Sequence, residues 1–352
     1  MTLDTTTAVI PTGGPASPGS PAGGTAARTS SGRRASPWLQ FAIKRLFGLV
    51  ITVVVLVVVT FLIVQLIPGD PAVGAAGPDA TAQRIEEVRT ELGLDLPLLQ
   101  QFTHYVATLL DGTMGQSFSL NSTVSDIIAS RLPFTASLAL ISILLVLLVA
   151  IPLGMTVGIL TRGGRRRPVD IAFGFGTGFI AAIPPYVMAT LLVVVFAVTL
   201  AVLPPAYSKN HVGTSFVLPV VALAIGPICT VARVVRRETA VVLEQDYMRT
   251  AKGWRLSALP LYAKYALPNL LTSTLTLSGL ILTSMIGGAI IIETVFAWPG
   301  LGRGVVQAIA NKDYPLIQGI ILVLGILAAV LTLLVDVILG AIDPRTLGSK
   351  ND

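Results

Sequence analysis

The sequence has little charge, a single cysteine and only two histidines. Charged residues make up 12% of the 352 residues, whereas a soluble globular protein usually carries roughly a quarter. The lone Cys229 excludes an intramolecular disulfide and a multi-cysteine metal site, and its apolar neighbours predict a small packed residue. His104 and His211 are far apart and have no ligand pattern around them. We therefore expect no metal site and no bound cofactor.

The motifs of common nucleotide-binding and catalytic sites are also missing. The sequence contains no Gly-x-x-x-x-Gly-Lys-Ser/Thr, no Gly-x-Ser-x-Gly and no His-Glu-x-x-His. Gly174, Gly176 and Gly178 superficially suggest a dinucleotide loop, but no strand precedes them, so close helix packing through small residues is predicted instead. We expect no catalytic residue in this chain.

Long hydrophobic runs are what the sequence has in abundance, since 53% of its residues are hydrophobic. A membrane-spanning helix needs roughly 20 apolar residues. Six runs of this kind lie at about 44–66, 135–160, 169–203, 214–235, 271–294 and 315–342. Pro184 and Pro185 should break the long third run. The predicted fold class is an all-α membrane protein with about six transmembrane helices.

Lys and Arg residues cluster beside alternate spans, and this bias predicts the orientation of the chain. The clusters precede the first span, separate the second from the third, and separate the fourth from the fifth. Their members are Arg28, Arg33, Arg34, Lys44 and Arg45, then Arg162, Arg165, Arg166 and Arg167, then Arg233, Arg236, Arg237, Arg249, Lys252, Arg255 and Lys264. These sets should be cytoplasmic, with both termini inside. Because the bases adjoin spans and are not interleaved with aromatics, we expect no nucleic-acid binding.

The spans and clusters divide the chain into five predicted regions. These are a disordered cytoplasmic leader at 1–37, a first transmembrane helix at 38–66, an external helical loop at 67–134, a core at 135–342 and a cytoplasmic tail at 343–352. The leader is rich in Thr, Ser, Pro and Gly, which cannot bury enough apolar surface to order it. The external loop has an excess of acids and should form helices near 82–92 and 97–110. Those helices either pack on helix ends or contact a soluble partner.

Acidic residues inside the spans are few, which argues against a proton-coupled carrier. Only Asp336 lies clearly within a span, either as a buried hydrogen-bonding partner or as a group that reaches the cytoplasmic edge. Glu293 and Asp170 lie at span ends, where water or the interface should solvate them. An ATP-independent secondary carrier would also show paired interrupted helices, and no such pairing is evident.

A basic segment between the fourth and fifth spans carries the most informative motif. Residues 249–255 read Arg-Thr-Ala-Lys-Gly-Trp-Arg and are followed, nine residues later, by Tyr-Ala-Leu-Pro at 265–268. This spacing resembles the cytoplasmic loop of permease subunits in bacterial ABC importers. The resemblance implies a coupling helix at about 246–264 that docks on an ATPase. The implied docking residues are Tyr247, Arg249, Thr250, Ala251, Lys252, Gly253, Trp254, Arg255 and Leu256.

Further motifs resemble the permeases of peptide and nickel importers over about residues 40–347. They lie at 66–71, 91–98, 109–117, 131–133, 293–302, 313–315 and 342–345. The 293–302 motif reads Glu-Thr-Val-Phe-Ala-Trp-Pro-Gly-Leu-Gly and is the most specific. Its resemblance implies an outer gate or path wall formed by Glu293, Phe296, Trp298, Pro299 and Gly300. On residue type alone, Trp298 is more simply an interfacial anchor, and Pro299 with Gly300 a turn.

The resemblance implies a type I ABC importer permease fold in a bacterial inner membrane. Implied partners are a second homologous permease subunit, one or two ATPase subunits on the cytoplasmic side, an external substrate-binding protein and membrane lipid. The implied cargo is a di- or oligopeptide, with nickel or glutathione as alternatives. A secondary carrier or a non-transporting scaffold is a more distant alternative, and the scaffold does not account for the ordered series of motifs.

One position departs from the family pattern, because Arg255 stands where the loop carries a glycine. A glycine there permits a positive φ between two short helices. We therefore expect the turn to move to Gly253, so that Trp254 and Arg255 begin the second short helix. The alternative is an ordinary helical Arg255 with a gentle bend.

Overall fold

The computed structural model describes residues 37–66, 69–77, 79–254 and 256–342. The predicted leader up to residue 36, the predicted tail and Arg255 lie outside the described residues, and Pro37, the last residue of the predicted leader, begins α1. Within them, thirteen α-helices follow one another: α1 (Pro37–Leu66), α2 (Pro71–Ala76), α3 (Ala82–Glu91), α4 (Leu98–Leu110), α5 (Val124–Leu160), α6 (Arg167–Ala182), α7 (Pro185–Leu192), α8 (Val212–Val242), α9 (Asp246–Gly253), α10 (Ala258–Pro260), α11 (Leu267–Val295), α12 (Leu301–Ala310) and α13 (Tyr314–Ile342).

Within the described residues, five helices are long and apolar enough to cross a bilayer, and a bent pair of helices makes a sixth passage when it is counted as one span. This agrees with the prediction of about six transmembrane helices. The five single helices are α1, α5, α8, α11 and α13. The sixth combines α6 with α7 and its π-helical continuation Val193–Thr199, bent by 95° at the break. The break falls between Ala182 and Pro185, where Pro184 and Pro185 lack the N–H that helix continuation needs.

The α5–α8 pair forms the centre of the bundle and depends on two glycines spaced four residues apart. A Cβ on Gly154 would lie 2.5 Å from the Ala232 carbonyl oxygen, and one on Gly158 would lie 2.8 Å from the Arg236 carbonyl oxygen. Only glycine allows the two backbones to approach this closely. The surrounding core is apolar and includes Leu138, Val146, Val231 and other buried side chains.

α1 packs along α13 at the periphery of the bundle. A Cβ on Gly325 would lie 2.7 Å from Leu56, and nearer the α1 N-terminus Arg45 forms an ion pair with Asp336 at 2.8 Å. Asp336 therefore has a partner of opposite charge on a neighbouring helix. This agrees with the prediction of a structural role for the carboxylate within its span.

The segment between α1 and α5 is folded, with α3 and α4 within one residue of the predicted helices. Asp70 caps α2 by accepting from the Ala72 amide at 2.9 Å and also pairs with Arg89 of α3. The hydrogen bond that Arg89 donates to Asp70, together with the negative charge of Asp70, raises the pKa of the Arg89 guanidinium. We call the end of the bundle that carries α2–α4 the outer end, following the Lys/Arg distribution.

One expectation about the third passage is wrong, and a second, that solvent surrounds Asp170, is incomplete. Within the described chain, a Cβ on Gly174 or Gly176 would meet no atom within 4 Å, so these glycines do not mediate close packing. Glycines whose Cβ would overlap a neighbouring helix lie instead on α5, α11 and α13, namely Gly154, Gly158, Gly279, Gly319 and Gly325. Asp170 does not depend on water alone, because Arg236 of α8 contacts it at 2.5 Å.

Candidate functional site

The predicted coupling segment is a short helix, α9, anchored to the rest of the chain by its apolar side. Met248 is 0% exposed and Ala251 is 1% exposed. They pack in a small separate core with residues that end α8 or begin the next passage, including Val242, Leu243, Leu261, Ala266 and Leu270. Ala251 therefore faces the core and is unavailable for docking, which corrects that part of the predicted docking set.

The opposite side of α9 and the turn after it are exposed. Trp254 is 63% exposed, Leu259 of α10 is 79% exposed, and Arg249 reaches only Asp246, at 3.4 Å. The exposed members of the predicted set are Tyr247, Arg249, Thr250, Gly253, Trp254 and Leu256, which we call the coupling surface. The surface combines exposed apolar side chains, Trp254 and Leu256, with the neighbouring positive charges of Arg249 and Lys252. Such a surface is suited to a protein partner with acidic groups.

Two ionisable groups of α9 have shifted pKa values. Partial burial raises the pKa of the Tyr247 hydroxyl, although the residue as a whole is 41% exposed. Burial also lowers the pKa of the Lys252 ammonium, and the positive charge of Arg162 lowers it further. Met155 and Ile159 near the end of α5 pack against the small core that holds α9, so α9 and the turn after α5 lie at the same end of the bundle.

The predicted turn at Gly253 is wrong in its conformation. Gly253 is the last residue of α9 and its φ is not positive, and Trp254 follows with φ −74°. The Trp254 amide bonds to the carbonyls of Thr250 and Lys252, which ends the helix without a left-handed residue. Trp254 does not begin a second helix either, since α10 starts at Ala258. An ordinary right-handed helix end needs no glycine at this position.

The second predicted site is a buried junction between α11, α12 and α5. The Glu293 carboxylate is 0% exposed and accepts from the Thr135 hydroxyl at 2.7 Å and from the Arg303 amide at 3.0 Å. The Leu301 amide donates to Thr135 Oγ1 at 2.8 Å. Together the two side chains satisfy the first amides of α12. The expectation that water or the interface solvates Glu293 is therefore wrong.

The glycines of this motif give the carboxylate its space. A Cβ on Gly300 would lie 2.4 Å from Glu293 Oε1, and one on Gly302 would lie 2.5 Å from the Ile290 Cα. A side chain at either position would displace the carboxylate or the α11 backbone. The Pro-Gly pair is therefore more than a turn, because it allows α12 to begin directly against Glu293.

Trp298 is buried at the same junction and is not an interfacial anchor. It is 0% exposed, its indole Nε1 donates to the Phe134 carbonyl at 3.2 Å, and its ring lies 4.4 Å from the Phe216 ring. Phe296 is 1% exposed, and its carbonyl accepts from the Tyr207 amide at 2.9 Å. All five predicted gate residues thus lie together, four of them buried and Pro299 partly exposed.

Sequence reasoning missed the hydrogen-bond partners of these residues, because the partners are far away in the sequence. Thr135 stands 158 residues before Glu293. Asp313, also fully buried, accepts from the hydroxyls of Ser117 and Ser119 at 2.5 and 2.7 Å and ties the loop after α4 to the start of α13. Glu293, Asp313 and Ser117 lie within motifs that the resemblance identified, whereas Thr135 and Ser119 each lie two residues beyond one. No local pattern pairs these residues. Within the described residues, no group of three His, Cys, Asp or Glu comes together as a metal site.

Two family models match the chain. One, described as "Binding-protein-dependent transport system inner membrane component", matches residues 150–348. The other describes the N-terminal part of such membrane components and matches residues 38–139. Together they cover residues 38–348 except 140–149 within α5, and they include both candidate sites.

Similar proteins agree with these matches. A "Putative peptide transport system permease protein" of Brucella suis biovar 1 (strain 1330) is 38% identical over 313 residues, covering 86% of this chain and 97% of that protein. The glutathione transport system permease protein GsiC of Escherichia coli (strain K12) is 38% identical over 309 residues, covering 87% and 98%. A solved structure of the MetNI methionine ABC transporter matches with a TM-score of 0.50 and 18% identity, over 62% of this chain and 96% of that one, which shows the likeness of fold alone.

Proposed function

The chain belongs to the family of binding-protein-dependent transport system inner membrane components, and on this premise we propose that it is a pore-forming permease subunit of an ATP-driven importer of di- or oligopeptides. In this proposal it pairs with a second homologous permease and has no active site of its own. Partner ATPases hydrolyse ATP, and a binding protein delivers the substrate. The family match over the six passages supports the transport role.

The coupling surface is the observation that carries the proposed mechanism. Met248 and Ala251 fix α9 to the ends of α8 and α11, while Trp254, Leu256 and Arg249 project from it. A force on this surface is therefore transmitted to two membrane passages. ATP binding then biases a two-state bundle because the ATPase contacts one state better than the other.

We propose that the coupling surface and both termini are cytoplasmic. The proximity of Arg162 to Lys252 supports this, since both predicted basic clusters then lie at one end of the bundle. α2 and α3 lie at the opposite end. α3 carries Arg84, Glu87 and Glu91 in exposed ion pairs, a polar surface suited to contact with a binding protein.

The buried junction has a mechanical part in this proposal. Glu293 and Thr135 join α11, α12 and α5 at the outer end of the bundle. We propose that this connection makes the three helices move as one body when the outer mouth of the path opens. The five motif residues then support the gate from behind rather than line the path.

The proposed cargo has one supported alternative. A peptide is favoured by the Brucella relatives, whereas the Escherichia coli relatives are named for glutathione, itself a peptide derivative. No observation on the described residues favours nickel. A binding protein selects the substrate in this arrangement, so the cargo is tested with that protein present.

The test is uptake by the complete transporter in proteoliposomes, with the binding protein supplied outside. We expect ATP-dependent uptake of labelled di- to tetrapeptides. Uptake of labelled glutathione with no uptake of these peptides would move the assignment to the alternative. Peptide uptake that persists without the ATPase subunits would reject the importer itself.

A matched pair of variants tests the coupling surface. Arg249→Ala combined with Trp254→Ala should reduce both recovery of the ATPase with the permease and ATP-dependent uptake, because exposed contacts are removed. Lys44→Ala, an exposed cation on α1 away from this surface, should leave both unchanged. Normal ATPase recovery with the double variant would contradict the assignment of the docking site.

A further inference from the structure

We propose that α4 enters the outer leaflet beside α1 and that its apolar strip, the exposed Leu99 and Leu110 with the half-buried Val106 between them, contacts lipid. α4 belongs to the segment between α1 and α5 that composition assigned to the aqueous exterior. Its position, charge and exposure indicate that this one helix enters the outer leaflet alongside α1 instead.

The composition of α4 differs from that of α3 beside it. The thirteen residues Leu-Leu-Gln-Gln-Phe-Thr-His-Tyr-Val-Ala-Thr-Leu-Leu contain no Asp, Glu, Lys or Arg. The ten residues of α3 contain five charged side chains, at Arg84, Glu86, Glu87, Arg89 and Glu91. A helix side in contact with hydrocarbon carries apolar and aromatic residues, because an unpaired charge there is costly.

The contacts between α4 and α1 place α4 at membrane depth. Tyr105 OH lies 3.0 Å from Thr60 Oγ1, and Phe61 packs edge-on against Phe102 with ring centroids 5.3 Å apart. Thr60 and Phe61 belong to the apolar passage Phe41–Ile63, not to the loop that follows it. α4 therefore lies beside the last turn of a membrane span.

The register of the two helices shows that α4 descends along α1. Gln65 of α1 donates to Gln101 of α4 at 3.3 Å. About one turn earlier in α1, Thr60 contacts Tyr105, which lies one turn later in α4. The helices are therefore antiparallel at this contact. At 1.5 Å per residue, Leu110 lies about 7.5 Å beyond Tyr105, toward the bilayer centre.

The two sides of α4 are used differently. Gln101, His104 and Thr108 line a cavity of about 680 Å³ shared with α3, α1 and the start of α13. Phe102 and Tyr105 cover α1. On the remaining side Leu99 is 75% exposed and Leu110 is 83% exposed, and nothing in the described chain covers them.

Lipid is the occupant that these observations favour. α1 is itself a span with only 11% of its apolar window buried, so its uncovered surface belongs to the bilayer and the strip on α4 adjoins it. A strip without charge at that depth matches hydrocarbon better than a soluble binding protein. A second protein subunit over the strip is the outcome that the experiment must separate from lipid.

The experiment uses the complete transporter in lipid nanodiscs, with the native thiol removed by Cys229→Ala. Spin labels are placed at Leu99→Cys or Leu110→Cys, and at Gln100→Cys on the polar side as the matched control. We expect the ratio of oxygen to nickel-chelate accessibility to be several times higher at 99 and 110 than at 100. Equal ratios, or exclusion of both reagents at 99 and 110, would overturn the proposal in favour of water or of protein cover.

A second measurement needs no substitution and so does not depend on the folding of the variants. A carbene photoprobe dissolved in the lipid should label wild-type α4 and leave α3 unlabelled, as read by mass spectrometry of the two peptides. An unlabelled α4 would reject lipid contact. Neither measurement depends on transport, so a failure here leaves the proposed importer function untouched.

Discussion

Glu293 of α11 and Thr135 of α5 share a hydrogen bond of 2.7 Å across 158 residues of sequence. The Arg303 amide donates to the Glu293 carboxylate and the Leu301 amide donates to the Thr135 hydroxyl, so these two side chains cap the N-terminus of α12. A helix end inside an apolar bundle would otherwise leave amides without partners, each costing about 1–3 kcal/mol. This pair therefore connects three helices at the outer end of the bundle.

Glu293→Ala should lower the free energy of unfolding by about 1–3 kcal/mol, because it leaves the Arg303 amide and the Thr135 hydroxyl unpaired in a buried site. The measurement is the unfolding midpoint of the purified chain in detergent. Glu293→Gln should fall between the wild type and Glu293→Ala, since its amide oxygen still accepts while its NH2 group faces a donor. The control is Thr294→Ala, whose exposed hydroxyl bonds only within α11. An Ala variant as stable as this control would show that the junction is not a stabilising connection.

Gly154→Ala should destabilise the bundle by about 1–3 kcal/mol because its Cβ would overlap the Ala232 carbonyl and force α5 from α8. Gly174→Ala is the matched control, a helical glycine with open space around it. The control should be neutral or stabilising by up to about 1 kcal/mol, since alanine favours the helix. Thermal unfolding of the two variants side by side measures the difference, and equal midpoints would argue against close backbone packing at Gly154.

Arg45 and Asp336 should show a small favourable coupling in a double-mutant cycle. Arg45 is 48% exposed, so the coupling energy should be only about 0.2–1 kcal/mol. The cycle uses Arg45→Ala, Asp336→Ala and the double variant, with unfolding as the readout. A parallel cycle of Lys44→Ala with Asp336→Ala should give a coupling near zero. A coupling equal to that of the Lys44 cycle would mean that the ion pair does not join α1 to α13.

Met248→Ala and Trp254→Ala should separate the anchoring side of α9 from its exposed side. Met248 is fully buried, so its truncation should cost about 2–5 kcal/mol of stability. Trp254 is 63% exposed and makes an edge contact with Tyr265, so its loss should cost less than about 1.5 kcal/mol. Unfolding of the permease alone provides the measurement. If Trp254→Ala proved the more damaging variant, α9 would be anchored by the side assigned here to docking.

The local features of the fold were predictable because their causes are local. Apolar run length determines which segments can span a bilayer, and all six runs correspond to passages. Pro184 and Pro185 break the third passage by removing amides from the chain itself. Thr81 caps α3 because its side chain accepts from the Arg84 amide, only three residues later in the chain.

The amino-acid sequence by itself thus determined the number of passages, the break in the third, the helices of the outer segment and the motif order that identifies the family. The tertiary structure decided which of several similar residues are buried, closely packed or hydrogen-bonded to a distant partner. Gly154 lies against α8 and Gly174 against nothing in the described chain, although both are glycines within spans. Glu293 is buried beside Thr135 because distant helices meet there, and sequence position alone placed it at a solvated end. Periodicity and propensity depend on neighbours in the chain, whereas burial and pairing depend on which helices pack together, and that information lies in contacts between residues far apart in sequence.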